Sequence, residues 1–318
     1  MEKLVMSYAP HIRSKRTTKA LMLDVVIALM PALIAGIYFF GLPALIHTLT
    51  CVASCLFFEF IWEKLFKLPN TTGDFSAVIT GILIAFNVPA SLPYGYDVAA
   101  SFFAIIIVKM FFGGLGHNFI NPALGARAFL LACWPVAMTM WSNPEFTLNP
   151  SVVVEVSSAT PLGALKEGGE VIASNMDLFL GNVGGCIGEV SALAILIGFA
   201  YLLVRKVITP TIPLIYIGVV FVLAWATGYD PVFFILSGGL MLGAVFMATD
   251  YVTSPMSWMG HIVYAVLLGV LTFVIRVYGK LPEGVSYSIL IMNVVTPLID
   301  KYTKPTRYGA KGGKKNEK

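Results

Sequence analysis

Three groups of residues have the types and spacing from which chemistry can be built. The first is Glu155-Val156-Ser157-Ser158-Ala159-Thr160-Pro161-Leu162, three hydroxyls among small residues with a carboxylate at its head. Pro161 biases Thr160 toward an extended backbone. An extended threonine with small neighbours can be presented to a modifying enzyme; the same composition also describes an ordinary Ser/Thr-rich loop. The second group is Asp74, Arg127 and Asp250, each at one end of a long apolar run. A charge retained at membrane depth needs a partner or a task. Arg127 is expected to pair with Asp74 or Asp250, either as part of an ion path or as a structural ion pair. Asp24 and Glu59 occupy similar interfacial positions. The third group is Asn118, Asn121 and Pro122. Their amides can serve a ring system or an ion. Alternatively, Asn121 is a helix N-cap with Pro122 at the first helical position.

Metal chemistry has little support. Cys51, Cys55, Cys133 and Cys186 lie in or beside apolar runs without a Cys-x-x-Cys pair, and they read as small packing residues. His117 and His261 lack a second ligand at helical spacing, so no metal site is expected.

The elements that position these residues follow from composition. Of 318 residues, 58% are hydrophobic and 12% charged, where a soluble domain carries about a quarter charged. Apolar runs long enough to cross about 30 Å of hydrocarbon recur along the chain. They are continuous rather than alternating, which excludes a β-barrel and requires helices. About ten spans are expected, over 21–40, 44–62, 74–90, 97–115, 123–141, 187–204, 212–228, 231–249, 260–278 and 284–300. Of the 21 Lys and Arg residues, only Lys166, Arg276 and Lys280 then fall on one side of the membrane. The positive-inside rule makes that side extracytoplasmic and puts both termini in the cytoplasm. The net charge of +4 is therefore topogenic and predicts no nucleic-acid partner.

The expected organisation is a cytoplasmic segment 1–20, a five-helix half 21–141, an extracytoplasmic loop 142–186, a second five-helix half 187–300 and a basic cytoplasmic tail 301–318. Halves with an odd number of spans can repeat only in inverted orientation. The third run (73–89) and the eighth (237–255) both mix Gly, small and hydroxyl residues and end at a proline. Such pairs point to broken helices around a midplane site. The fold class is thus an all-α membrane protein with two inverted five-helix repeats.

The stretch from Glu155 to Thr160 resembles the flavinylation motif of the RnfD and NqrB family, an acidic residue ahead of a Ser/Thr-Gly-Ala-Thr core. Thr160 stands at the acceptor position, and Ser157 and Ala159 match. Glu155 replaces the usual Asp, and Ser158 the usual Gly. Further signatures similar to the family's are Ser7 to Arg13, Asp74-Phe75-Ser76-Ala77, Gly113 to Asn118, Asn121 to Arg127 and Met247 to Pro255. They occur in family order over nearly the whole chain, whose length is nearer RnfD than the longer NqrB. The resemblance implies FMN joined through its phosphate to Thr160 by a flavin transferase, and a non-covalent riboflavin or second flavin. It implies a bacterial inner-membrane complex with the other Rnf subunits, RnfA, RnfB, RnfC, RnfE and RnfG. That complex couples ferredoxin and NAD to Na+ or H+ movement, without turnover by this chain alone. A non-redox permease or channel, or a plain membrane anchor, would suit the span pattern but has no need of Thr160.

Overall fold

The computed structural model describes residues 16–142, 144, 156–157, 160–166, 173–279 and 284–304. Helix α1 (Thr18–Phe40) starts at Thr17, whose hydroxyl accepts from Ala20 N at 3.2 Å. It stops at Gly41, whose φ of 69° and ψ of −147° let the chain reverse at once into α2 (Leu42–Leu65). Few side chains could hold that backbone without strain. Helix α3 (Ser76–Phe86) is short, closed by Asn87 and Pro89. Helix α4 (Gly95–Phe112) loosens into a π-helical stretch, Phe103–Lys109. Helix α5 (Pro122–Cys133) ends where Pro135 follows.

A long connection follows. Strands β1 (Trp141–Ser142) and β2 (Val156–Ser157) pair antiparallel, with Trp141 opposite Ser157. Helix α6 (Pro161–Lys166) and helix α7 (Asn175–Leu180) come next, the latter started by a Ser174/Asp177 capping box. The apolar pattern closes this connection at 186. It instead continues to Ser191, because Ile187 N and Gly188 N donate to Val88 O and Phe86 O at 3.2 and 3.1 Å, below the end of α3.

The second half comprises α8 (Ala192–Val204), α9 (Thr211–Ala226), α10 (Pro231–Leu236), α11 (Leu240–Leu242 running into the π turn Gly243–Met247), α12 (Trp258–Tyr278) and α13 (Val285–Thr303). The expected eighth span is broken between α10 and α11. Gly238 and Gly239 both take left-handed φ, 63° and 67°, which ends one helix and restarts the next.

Among the described residues, four helices are long and apolar enough to cross a membrane: α1, α2, α4 and α12. Helices α3, α5, α8 and α9 are apolar but shorter. Large apolar side chains such as Ile34, Tyr38, Phe57, Leu214 and Trp225 face outward, as in a protein whose solvent is lipid. Inside, α1 packs on α8, α2 on α3 and α4, α9 on α12, and α5 on α13. The approaches are close: a Cβ on Gly81 would meet the Val52 backbone at 2.7 Å, and one on Gly198 would clash with Ala28 O. Small residues at such crossings replace the hydrophobic drive that lipid removes.

Candidate functional site

Thr160 is only 5% exposed, which corrects the expectation of a threonine displayed on the loop surface. Its Oγ1 accepts from Gly163 N at 3.1 Å and its carbonyl from Ala164 N at 2.8 Å. It is the N-cap of α6, with Pro161 at the favoured first position, and capping draws the hydroxyl inward. Ser157 lies in β2; Glu155, Ser158 and Ala159 lie outside the described residues. Thr160 borders a small cavity of about 20 Å³ shared with Glu189, Val190, Leu236, Ser237 and Gly238. The Ser237 hydroxyl is buried there and makes no hydrogen bond among the described residues.

The floor of this cavity is the break in the eighth span, and each broken end meets a charge. Arg276 on α12 donates through Nη1 to Phe234 O at 2.5 Å and through Nη2 to Ser237 O and Gly238 O, both at 2.9 Å. A cation thus sits on the exposed carbonyls of α10, where the peptide dipoles favour it. On the other side the Glu189 carboxylate lies against Gly239, at the start of α11; a Cβ there would meet Glu189 Oε1 at 2.5 Å.

Arg127 pairs with neither Asp74 nor Asp250. Its Nη1 donates to Glu189 Oε1 at 2.5 Å and to Asn87 Oδ1 at 2.8 Å, and Nη2 lies 3.6 Å from Cys186 Sγ. The correction has a geometric cause. Arg127 is six residues along α5 from Asn121, roughly 9 Å into the bundle at the helical rise, and the dipping 186–190 segment brings Glu189 to meet it. Asn87 in turn donates to Leu83 O at 2.6 Å, so Arg127 ties α5 to the end of α3.

A second cavity, of about 810 Å³, opens toward the end of the bundle where α1 begins. Its walls include Ser76, Lys109, Asn118, Asn121, Asp250 and Tyr251. Asn121 accepts from Ala123 N at 3.0 Å and caps α5 with Pro122 behind it, and Asn118 Nδ2 donates to Ile120 O at 3.0 Å. The amides therefore first order the backbone, and what they line is a cavity that also holds a carboxylate. Asp250 accepts from Val252 N and Thr253 Oγ1 at 3.4 and 3.1 Å. Asp74 accepts from Ser76 N and Oγ at 2.8 and 2.6 Å and starts α3. Ser76 Oγ also receives Lys109 Nζ at 2.7 Å, and that ammonium donates to Glu59 at 2.7 Å. Thr71 hydrogen-bonds to both Glu59 and Glu63. Asp250 thus lines this cavity, and Asp74 stands behind it, hydrogen-bonded to the lining residue Ser76.

Sequence reasoning missed Glu189, Ser237, Arg276, Glu63 and a buried pair in which His47 Nδ1 and Asp97 Oδ2 are 2.6 Å apart. Position inside or beside an apolar run was an available signal for His47 and Asp97. For Glu189 it was not, because the segment that inserts it reads as an ordinary loop end. Cys51, Cys55 and Cys186 are buried, the first two as packing residues and Cys186 beside Arg127, while Cys133 is exposed at the end of α5.

Comparison with known proteins adds lineage to this geometry. A model of the NQR2, RnfD, RnfE family matches residues 5–309. The chain is 50% identical to the D subunit of the Na+-translocating ferredoxin:NAD+ oxidoreductase complex of Acetobacterium woodii, over 99% of this chain and 98% of that one. It is 43% identical to the D subunit of the proton-translocating ferredoxin:NAD+ oxidoreductase complex of Clostridium ljungdahlii, over 96% of each. It is 36% identical to the D subunit of an ion-translocating oxidoreductase complex of Alcanivorax borkumensis, over 97% of each. With these matches spanning almost its whole length, the chain belongs to the NQR2, RnfD, RnfE family.

Proposed function

We propose that this chain is the FMN-carrying membrane subunit of an ion-translocating ferredoxin:NAD+ oxidoreductase complex, passing electrons within the complex and linking them to Na+ or H+ transport. The observation that carries the reading is the setting of Thr160. Thr160 borders a cavity with a buried Ser237 hydroxyl that has no hydrogen-bond partner among the described residues, as a phosphate ester on that threonine would need. FMN supplies one- and two-electron chemistry, and the protein supplies its position. Thr160 would hold the group, Ser237 would donate to it, and Arg276 would keep the broken helix beneath it in shape.

The finer arrangement belongs to the same reading. Ten spans, several of them short or broken, form two inverted five-helix halves with both termini in the cytoplasm and the connection from 142 outside, its 186–190 end dipping into the bundle. The cavity of Asn118, Asn121 and Asp250 would take a second, non-covalent flavin such as riboflavin, or the transported ion. Asp74 and Asp250 would border the cytoplasmic mouth of the ion path, and Arg127, held by Glu189, would stand at its middle. One flavin cannot carry electrons across about 30 Å of bilayer, so RnfA, RnfB, RnfC, RnfE and RnfG complete the route, and a flavin transferase matures the site.

The test is the intact mass of the subunit purified from its own host. It should exceed the sequence mass by one FMN less one water, and the denatured band should fluoresce as a flavin. Thr160→Ala should remove both signals while the protein still inserts. A flavin retained in that variant overturns the assignment to Thr160, and native protein without the added mass returns the chain to the permease reading, which the broken eighth span alone would also suit.

A further inference from the structure

A separate cavity of about 460 Å³ lies beside the Thr160 cavity, bounded by Leu162, Leu165, Lys166, Tyr229, Phe234 and Arg276. The two are neighbours through Gly238. From that residue's side-chain direction, Arg276 Nη2 lies at 3.2 Å and Leu162 Cδ2 at 3.7 Å. Thr160 caps the helix that forms one wall, so Leu165 stands roughly 7 Å along the axis from it, within reach of a ribityl chain.

The walls are chemically uneven. Tyr229 packs against Phe234 with ring centroids 5.0 Å apart and an interplanar angle of 38°, and Phe234 packs against Phe273 at 5.9 Å. Tyr229 is 39% exposed, so part of its ring is left uncovered beside the cavity. At the rim stand two cations, Lys166, whose ammonium donates to Gly279 O, and Arg276. Burial pushes the Lys166 ammonium below its ordinary range. Arg276 is the buried one of the two, and a desolvated charge acts more strongly on a nearby anion than the same charge in water.

We infer that this cavity seats the planar isoalloxazine ring of the group carried on Thr160, with Tyr229 and Phe234 as its aromatic wall and Lys166 and Arg276 facing its polar edge. The inference rests on the reading of Thr160 as the flavin-bearing residue. An aromatic wall suits a flat π-system, and two cations favour the ring in its reduced, more negative state. The tether selects the occupant, since Thr160 starts the helix whose Leu162, Leu165 and Lys166 line this cavity.

The experiment uses the flavin-loaded subunit, with loading measured by intact mass. A tyrosine packed on a flavin ring quenches its fluorescence by donating an electron to the excited state; phenylalanine does not. Tyr229→Phe, which preserves packing, should raise the emission per bound flavin severalfold. Lys166→Met should move the flavin midpoint potential to more negative values. Trp225→Leu, on a lipid-facing ring, should change neither. Unchanged emission and potential at full loading overturn the ring seat and leave the Thr160 assignment standing. Absence of the added mass in native protein overturns both.

Discussion

Glu189 accepts from Arg127 Nη1 at 2.5 Å while its carboxylate lies against Gly239, at the restart of the broken eighth span. One carboxylate therefore borders the Thr160 cavity, holds the only arginine of α5, and faces the start of α11. Both partners are nearly buried, 8% and 6% exposed at the side chain. Removing one member of a buried pair typically costs about 3–5 kcal/mol, because the other charge stays desolvated. Glu189→Ala is expected to lose stability of that size, read as a lower thermal midpoint in detergent. Replacing both, as Arg127→Met with Glu189→Leu, should recover much of the loss. If the single variant melts as the native protein does, the pair is not a structural tie.

The outline of the fold was legible because lipid imposes length and polarity on every spanning helix. The starts of α1, α2, α5 and α12 lie within a few residues of the apolar runs that announced them. The break in the eighth span was legible from glycine: Gly238 and Gly239 lie inside that run, and their left-handed φ makes the break. What stayed hidden was pairing. Run position places Arg127 beside Asp74 and Asp250, but a helix carries its side chains inward as it rises, and a returning loop filled the position opposite. The motif singles out Thr160, and nothing in a motif says whether its hydroxyl caps a helix or faces water.

Asp250 stands in the wall of the larger cavity with Asn118, Asn121 and Lys109. If this cavity is the mouth of the ion path, Asp250→Asn removes its charge while keeping an oxygen for Thr253. Ion-gradient formation by the reconstituted complex is expected to fall by more than its electron transfer. Parallel loss of the two activities would make the residue structural or redox-linked. No change in either would move the ion path elsewhere.

Asp230 ties the connection to the second half. It caps α10 through Val232 N at 2.9 Å and accepts from Asn175 Nδ2 at 2.9 Å on α7. The Asn175 bond, opposed by burial and helped by the Phe233 and Val232 backbone donors, holds its carboxyl below the usual range. A carboxyl depressed on folding contributes stability above its unfolded value of about 3.9 and loses it as pH falls through the folded value. Replacing an N-cap by alanine costs about 1 kcal/mol. Native protein is therefore expected to melt above Asp230→Ala at neutral pH, and the gap should narrow only below the ordinary carboxylate range. A gap that closes between about pH 7 and 5 would contradict the assignment.

If Thr160 carries the flavin, as proposed, its burial bears on how it would become modified. A transferase must reach Oγ1, yet that atom is enclosed and engaged by Gly163 N at 3.1 Å. The first turn of α6 has to open before transfer, so modification of a folded, flavin-free chain should be limited by opening. Pro161 fixes the backbone at the first helical position and favours the closed form. Pro161→Gly should raise the initial rate of covalent flavin incorporation from FAD by added transferase, with the same final mass. Thr160→Ser, which keeps both the cap and a hydroxyl, should still be modified, whereas Thr160→Ala should not. The readout is the fraction of chains carrying the flavin mass against time. A native rate equal to that of Pro161→Gly would show that the closed N-cap does not limit transfer, and that Thr160 is reached without opening α6.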